Sequence, residues 1–329
     1  MSKRLLDALD RKALSRPPVW IMRQAGRYLP EYRELRQRHT FQELVSNPDL
    51  ATEITLQPIL RFGMDGAVIF ADIMTPLQAM GVEMSFEPGP TLRPHTLRDV
   101  LELADLEPDR VGFVAETVGR VGAEIPDHVA VIGFAGAPVT LLAYLLEGGG
   151  SKEFMAIRAA LHTDPIGAVD ALDKLAHAMK VYLGVQIDAG ADVVQLFDTW
   201  SGLLDQAGFE RFALPAARSV LDGLGARSIY FAPGAGHTLD AQTGVGATGY
   251  GVDWRTPLVD AWACLGDVAV QGNIDPALLL TDPDRIGSEV AALLARVDGR
   301  PGHILNLGHG IDRRTPIENV TAFVESARG

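Results

Sequence analysis

Arg23 and Arg27, four residues apart in MRQAGRYLPEYRELR, are the first residues whose type and spacing could do chemistry. If this loop turns helically, both guanidiniums share one face. Planar, permanently charged groups so placed suit bidentate capture of carboxylates, although the same spacing also suits a solvated helix face of Arg/Glu pairs. Asp72 follows the apolar run AVIFA and precedes Ile73 and Met74, so it is a lone carboxylate at the end of an expected strand. Such a group needs a donor partner or a shifted pKa. It either accepts substrate N–H groups and stabilises a cation formed during reaction, or caps the helix that follows.

Further polar and aromatic residues stand at comparable places: Phe134 and Tyr144 in GFAGAPVTLLAY, Phe197 and Thr199 in LFDTWSG, and His309 in LNLGHG. A tyrosine in an apolar helix is equally a packed core residue with a satisfied hydroxyl, and a histidine between glycines is equally a loop hydrogen-bonder. Convergence on one end of a sheet would make a site of them. Other chemistries find less support. Gly148, Gly149, Gly150, Ser151 and Lys152 follow a helix-like run and lack P-loop spacing, so they read as a helix stop. The eight histidines include no HExxH pair, no GxGxxG follows the first strand, and Cys264 is alone, so neither zinc nor a dinucleotide is indicated.

The elements that must position these residues alternate between short Val/Ile/aromatic runs and longer Ala/Leu/Arg/Glu segments, the pattern of an α/β protein with a parallel sheet. Eight strands are expected: 18–21, 67–71, 129–134, 192–197, 228–232, 249–253, 268–273 and 303–307. Most are continuously apolar, as strands covered on both faces should be. Eight units in 329 residues predict a single (β/α)8 TIM barrel, one domain over 1–329, with its active-site cleft at the C-terminal ends of the strands. The stretch from Asp72 to His128 exceeds one loop-and-helix unit, and EPGPTLRPH within it reads as a turn-rich excursion. Ala130 to Leu146, the most membrane-like run, is broken by Gly133, Gly136 and Pro138 and reads as strand, turn, helix.

Composition narrows the partners. With 42 acidic and 29 basic residues the formal charge is -13, which opposes generic binding to nucleic acid or anionic lipid. An anionic ligand therefore needs a local cluster of arginines. The N-terminal MSKRLLDALDRKALSRPP has no apolar core of a secretory signal, and a single cysteine suits a reducing, cytoplasmic setting.

PVWIMRQAGRYLPEYR (18–33) and GFAGAPVTLLAYLLEGGGS (133–151) resemble the two signatures of the uroporphyrinogen decarboxylase family. The similarity continues through FADIMTPLQAMG, LFDTWSG, QGNIDP and LNLGHG, so it spans essentially the whole chain. Val139 stands where the family often has an aromatic, and DTWSG replaces an ESHAG-like variant while keeping a hydroxyl at Thr199. The resemblance implies a cofactor-free homodimeric barrel that decarboxylates the four acetates of uroporphyrinogen III. It also implies that Arg23, Gln24 and Arg27 bind substrate carboxylates, with Arg36 a further candidate. Asp72 would face the macrocycle centre; Tyr144, Thr199 and His309 would hydrogen-bond its side chains; Phe134 and Phe197 would pack on pyrrole faces. Catalytic work falls to Asp72, with Tyr144 and His309 as proton-donor candidates. Two other readings are a cobalamin-linked methyltransferase of the same superfamily, which needs a thiolate-containing zinc site, and a non-catalytic tetrapyrrole carrier. A carrier of polyanions gives no reason for a central carboxylate that repels its cargo.

Overall fold

The computed structural model describes residues 3–86 and 89–328. Met1, Ser2, Gly329 and, within the turn-rich EPGPTLRPH stretch, Glu87 and Pro88 lie outside the described residues.

In chain order the strands are β1 (Gly66–Val68), β2 (Met84–Ser85), β3 (Thr91–Leu92), β4 (Ala130–Gly136), β5 (Val193–Phe197), β6 (Arg227–Phe231), β7 (Gly249–Gly251), β8 (Ala269–Gln271) and β9 (His303–Ile304). β2 and β3 form a small antiparallel hairpin. The other seven make one parallel sheet in the order β1-β4-β5-β6-β7-β8-β9, each strand beside its successor. Such succession, with helices in the connections, curls the sheet into a TIM-barrel-like α/β fold. Seven of the eight expected strands are these seven.

The eighth, 18–21, appears as a single parallel bridge between Val19 and Leu305. Leu305 N–H donates to the Pro18 carbonyl at 2.9 Å, and on the other side Asp65 N–H donates to the Val19 carbonyl at 2.8 Å. The ladder stays short for reasons visible in the residues. Pro17 and Pro18 have no N–H to give. Past Trp20, the N–H groups of Ile21 and Met22 donate to the side chains of Gln24 and Asn306 instead of to a neighbouring strand. Asp65 reinforces this seam: its carboxylate takes two hydrogen bonds from Arg16, at 2.7 and 3.0 Å, and one from Val19 N–H at 2.8 Å.

Period-two alternation sorts side chains to two buried faces. Ala130, Ile132 and Phe134 of β4, with Ile229 and Phe231 of β6, join an inner cluster with Trp20, Met22 and Val68. Val131, Ala135 and Tyr230 point the other way, into the core shared with the helices. Helix Arg4–Leu9 covers the N-terminal end of the inner face with Leu5, Ala8 and Leu9. A polar layer crosses the interior: Trp20 Nε1 donates to Gln271 at 2.9 Å, and Gln271 donates to Gln195 at 3.2 Å.

The residues 130–147 form strand β4 and then helix Pro138–Glu147, which stops at Gly148 in the left-handed conformation, φ 79°. The long connection after Asp72 holds helix Thr75–Ala79, the hairpin, helix Leu97–Leu101 and helix Gly112–Glu124. Among the described residues no helix is long and apolar enough to cross a membrane.

Candidate active site

The loop after the bridge at Val19 is built by its own side chains. Gln24 is fully buried; its Oε1 accepts from Ile21 N–H at 3.0 Å and its Nε2 donates to the Gly66 carbonyl at 2.8 Å. Both ends of the amide are thus bonded to backbone. Gln24 therefore shapes the loop from behind. Asn306 Oδ1 accepts from Met22 N–H at 3.1 Å, and Ile311 N–H returns to the Met22 carbonyl at 3.0 Å. The loop carrying Arg23 is clamped to the LNLGHG loop.

The helical turn expected for Arg23 and Arg27 is corrected. Arg23 has φ 63°, a left-handed conformation that costs a residue with a Cβ about 1–3 kcal/mol and recurs at functional sites. The next helix begins only at Pro30. Arg23 and Arg27 consequently diverge. Arg23 runs across Gly310, and its charge acts on Asp72, Tyr144 and His309. Arg27 instead reaches the hydroxyl of Tyr32 together with Arg36. Tyr32 packs edge-on against Phe70, with ring centres 5.7 Å apart, so this second pair of arginines flanks the β1 end of the cleft.

Asp72 follows β1 and is half-buried. Oδ1 accepts from Met74 N–H at 2.8 Å, so the capping role holds for one oxygen. Oδ2 has no hydrogen bond among the described residues. Burial pushes the carboxyl above its usual range, while the Met74 N–H and the Arg23 guanidinium pull it part of the way back. A carboxylate left short of donors in this way is ready to accept N–H groups from a ligand. Asp72 also forms one wall of a cavity of about 310 Å³ lined by Phe41, Thr75, Phe86 and Phe113.

Tyr144, on helix Pro138–Glu147, is half-buried and packs edge-on against Phe154 and Trp200, with ring centres 5.8 and 6.1 Å away. Burial raises its phenol pKa, and the negative charge of Asp72 raises it further. It therefore stays protonated at neutral pH. The buried indole N–H of Trp200 is turned to the Tyr144 hydroxyl and pulls its pKa part of the way back.

From β4 around to the last loop, an arc of rings lines the mouth. Phe134 meets Phe197 edge-on at 5.6 Å, Phe197 meets Phe231 at 6.2 Å, and Phe231 meets His309 at 6.4 Å. Gln186 holds the backbone of Phe134 at both N–H (2.9 Å) and carbonyl (3.0 Å), which fixes the start of this arc. His309 is held neutral: burial first, then the charges of Arg23 and Arg255, lower its pKa to about 4. Thr199 is half-buried and its hydroxyl has no partner among the described residues. Arg23, Asp72, Tyr144 and His309 are therefore linked electrostatically, Phe134 and Phe197 lie in the adjoining wall, and Thr199 follows Phe197 at the same strand end.

Asp198 and Arg255 escaped the sequence reading. Asp198 is fully buried and accepts from Thr140 Oγ1 at 3.0 Å and from the Tyr230 hydroxyl at 2.6 Å. Thr140 in turn accepts from Trp200 N–H at 3.1 Å, so the network sets the loop bearing Thr199 and Trp200. The strand-end rule that selected Asp72 selects Asp198 equally. Arg255, beyond β7, carried no local signal.

The family model described as Uroporphyrinogen decarboxylase (URO-D) matches residues 1–329. The uroporphyrinogen decarboxylase of Syntrophotalea carbinolica is 43% identical over 327 residues, covering 97% of this chain and 95% of that protein. That of Geotalea daltonii is 42% identical over 332 residues, with 99% and 98% covered. A methyltransferase from Methanosarcina mazei is similar in structure, with a TM-score of 0.83 at 22% identity over 99% of this chain and 97% of that one. Likeness at that identity speaks for the fold alone.

Proposed function

The chain belongs to the uroporphyrinogen decarboxylase family, and from that premise we propose that the cluster around Asp72 converts the four acetate side chains of uroporphyrinogen III to methyls, giving coproporphyrinogen III and four CO2. The enzyme is thus a decarboxylase of porphyrin and haem biosynthesis.

Loss of CO2 from an acetate leaves an electron pair that needs an acceptor, a task many decarboxylases give to a cofactor. Here the substrate supplies it. Protonation of the adjacent pyrrole carbon makes an iminium-like cation; the carbon–carbon bond breaks and its electron pair neutralises the cation, after which a second proton adds to the exocyclic carbon and the first leaves the ring carbon, restoring the pyrrole with one proton taken up and one CO2 released per acetate. Asp72 stabilises that cation by accepting pyrrole N–H groups in a low-dielectric cleft, where a fixed charge acts far more strongly than in water. Arg23 and Arg27, with Arg36 beside Arg27, hold carboxylates. Phe134 and Phe197 give apolar faces to the pyrroles. Tyr144, Thr199 and neutral His309 hydrogen-bond the side chains. Of the two proton-donor candidates, Tyr144 is the one that keeps a proton through the neutral range by burial, whereas the His309 imidazolium is suppressed.

One observation carries the reading: a half-buried carboxylate with a free oxygen, set beside an arginine and a phenol at a strand end. The test is anaerobic incubation with uroporphyrinogen, oxidation, and chromatography of the products. A ladder descending to four carboxylates with CO2 release supports it; bound but unchanged substrate identifies a carrier. For the methyltransferase reading, Cys264 is exposed on helix Leu258–Leu265, and among the described residues no group of three or more His, Cys, Asp or Glu could hold a metal. Metal analysis of the purified protein checks this.

The same premise extends to architecture. The hydrogen bonds on both sides of Val19 support closure of the sheet into an eight-stranded barrel, with the chain acting as one domain over 1–329. The proposal includes a homodimer in the cytoplasm without nucleic-acid or membrane partners, a reading that family membership and the charge of -13 support, and sedimentation tests the assembly.

A further inference from the structure

Arginines 23, 27 and 36 all come from the one segment after the Val19 bridge, Arg27 and Arg36 meeting at Tyr32 and Arg23 lying across Gly310. A macrocycle carries carboxylates around its whole rim. Beyond β7 stands the platform Asp253–Thr256. Asn273 Nδ2 donates to the carbonyls of Asp253 at 2.7 Å and of Thr256 at 2.6 Å. The buried Asp253 carboxylate accepts from Gly234 N–H and, at 2.9 Å, from Arg255 N–H. Gly308 lies so close to the Trp254 backbone that a Cβ there would collide with it. This platform is therefore locked to the loop that carries His309.

Arg255 is presented from it in one orientation. Its Nη1 donates to Asp253 Oδ2 at 2.8 Å, and its guanidinium lies 3.9 Å over the Trp254 ring. The opposite side of the chain of contacts faces the site: the Trp254 ring is 6.2 Å from that of His309, edge-on. The Arg255 side chain is 55% exposed, and its other N–H groups have no partner among the described residues. A guanidinium already stacked and tethered loses little freedom when it binds an anion.

Resting on the decarboxylase reading, we propose that Arg255 is a further substrate-binding residue that holds a propionate, one of the carboxylates retained through the reaction. Two points select a propionate over an acetate. Arg255 acts on His309, whereas the charge that acts on Asp72, where the reacting acetate must lie, is that of Arg23. In addition, a cation paired with the departing carboxylate stabilises the ground state and hinders loss of CO2, whereas binding remote groups can drive positioning without that penalty.

The test compares wild type with Arg255→Gln and Arg255→Lys, using uroporphyrinogen as substrate and coproporphyrinogen, which keeps only propionates, as competing ligand. Expected for Arg255→Gln is a rise of about tenfold in both KM and the inhibition constant, with kcat within about twofold. Arg255→Lys recovers part of the affinity, and its thermal midpoint reports whether the platform is intact. The inference is overturned if both constants stay within twofold of wild type. It is also overturned if only uroporphyrinogen binding weakens, which assigns an acetate, or if kcat falls with KM unchanged. Should wild type bind these ligands but release no CO2, the decarboxylase reading fails while the binding comparison still judges Arg255.

Discussion

The side chain of Arg23 lies directly on Gly310: a Cβ at position 310 would stand 2.5 Å from Arg23 Cδ and 2.9 Å from its Cγ. The glycine next to His309 is thus the floor for an arginine delivered from the other end of the chain. Gly310 has no left-handed φ, so alanine suits its backbone and acts only by displacing Arg23. Gly310→Ala is expected to lower kcat/KM by about tenfold or more, since small displacements of positioning groups are costly. Its thermal midpoint should stay within a few degrees of wild type, and kinetics beside a melting curve check both. Unaltered kcat/KM would show that Arg23 need not lie there.

Asp72→Asn keeps the shape of the side chain and removes its charge. If the carboxylate stabilises the pyrrole cation, the barrier rises by about 2–4 kcal/mol, roughly 30- to 1000-fold in rate. Single-turnover decarboxylation measures the chemical step; near-normal turnover takes Asp72 out of the mechanism.

The pH dependence follows from the same pair. Asp72 works ionised, and its raised pKa places the acid limb of kcat/KM above the ordinary carboxylate range. Arg23 opposes that rise, so Arg23→Gln should move the limb to still higher pH as well as weaken binding. Profiles for both proteins decide it, a limb that does not move contradicting the coupling.

His309, with its pKa lowered to about 4, stays neutral through the physiological range. His309→Gln should therefore reduce the rate without changing the shape of the profile between pH 5 and 8. A lost limb in that interval would mean that the imidazolium takes part.

Asp198 makes a prediction about stability. Burial raises its pKa from 3.8 to about 6, so the folded state holds this proton more tightly than the unfolded one. Its stabilising effect is complete below the unfolded value and is lost as pH rises from about 4 to 6. Asp198→Asn has no such loss. Denaturant titrations should show the variant gaining on wild type across that window, by on the order of 3 kcal/mol.

The sequence by itself determined which segments become strands, because apolar runs of the right length, covered on both faces, carry their own signature. It also determined that polar residues just beyond them would gather at one end, since parallel strands all point the same way. Asp72, Tyr144 and His309 were legible on that rule, as was Phe197 beside Phe134. The family signatures around Arg23 and Gly133 added the substrate class. The rule was blind to other features because each depends on a partner distant in the chain. Gln24 turned inward because Gly66 offers it a carbonyl, and Arg23 left helical geometry because Asn306 and Ile311 hold the loop from outside. Arg255 took its tethered, stacked position only when Asp253 and Trp254 were locked against Gly308. Spacing along a chain reports local faces, whereas the direction of a side chain in a loop is set by hydrogen bonds and contacts that exist only once the sheet has curled and brought distant loops together.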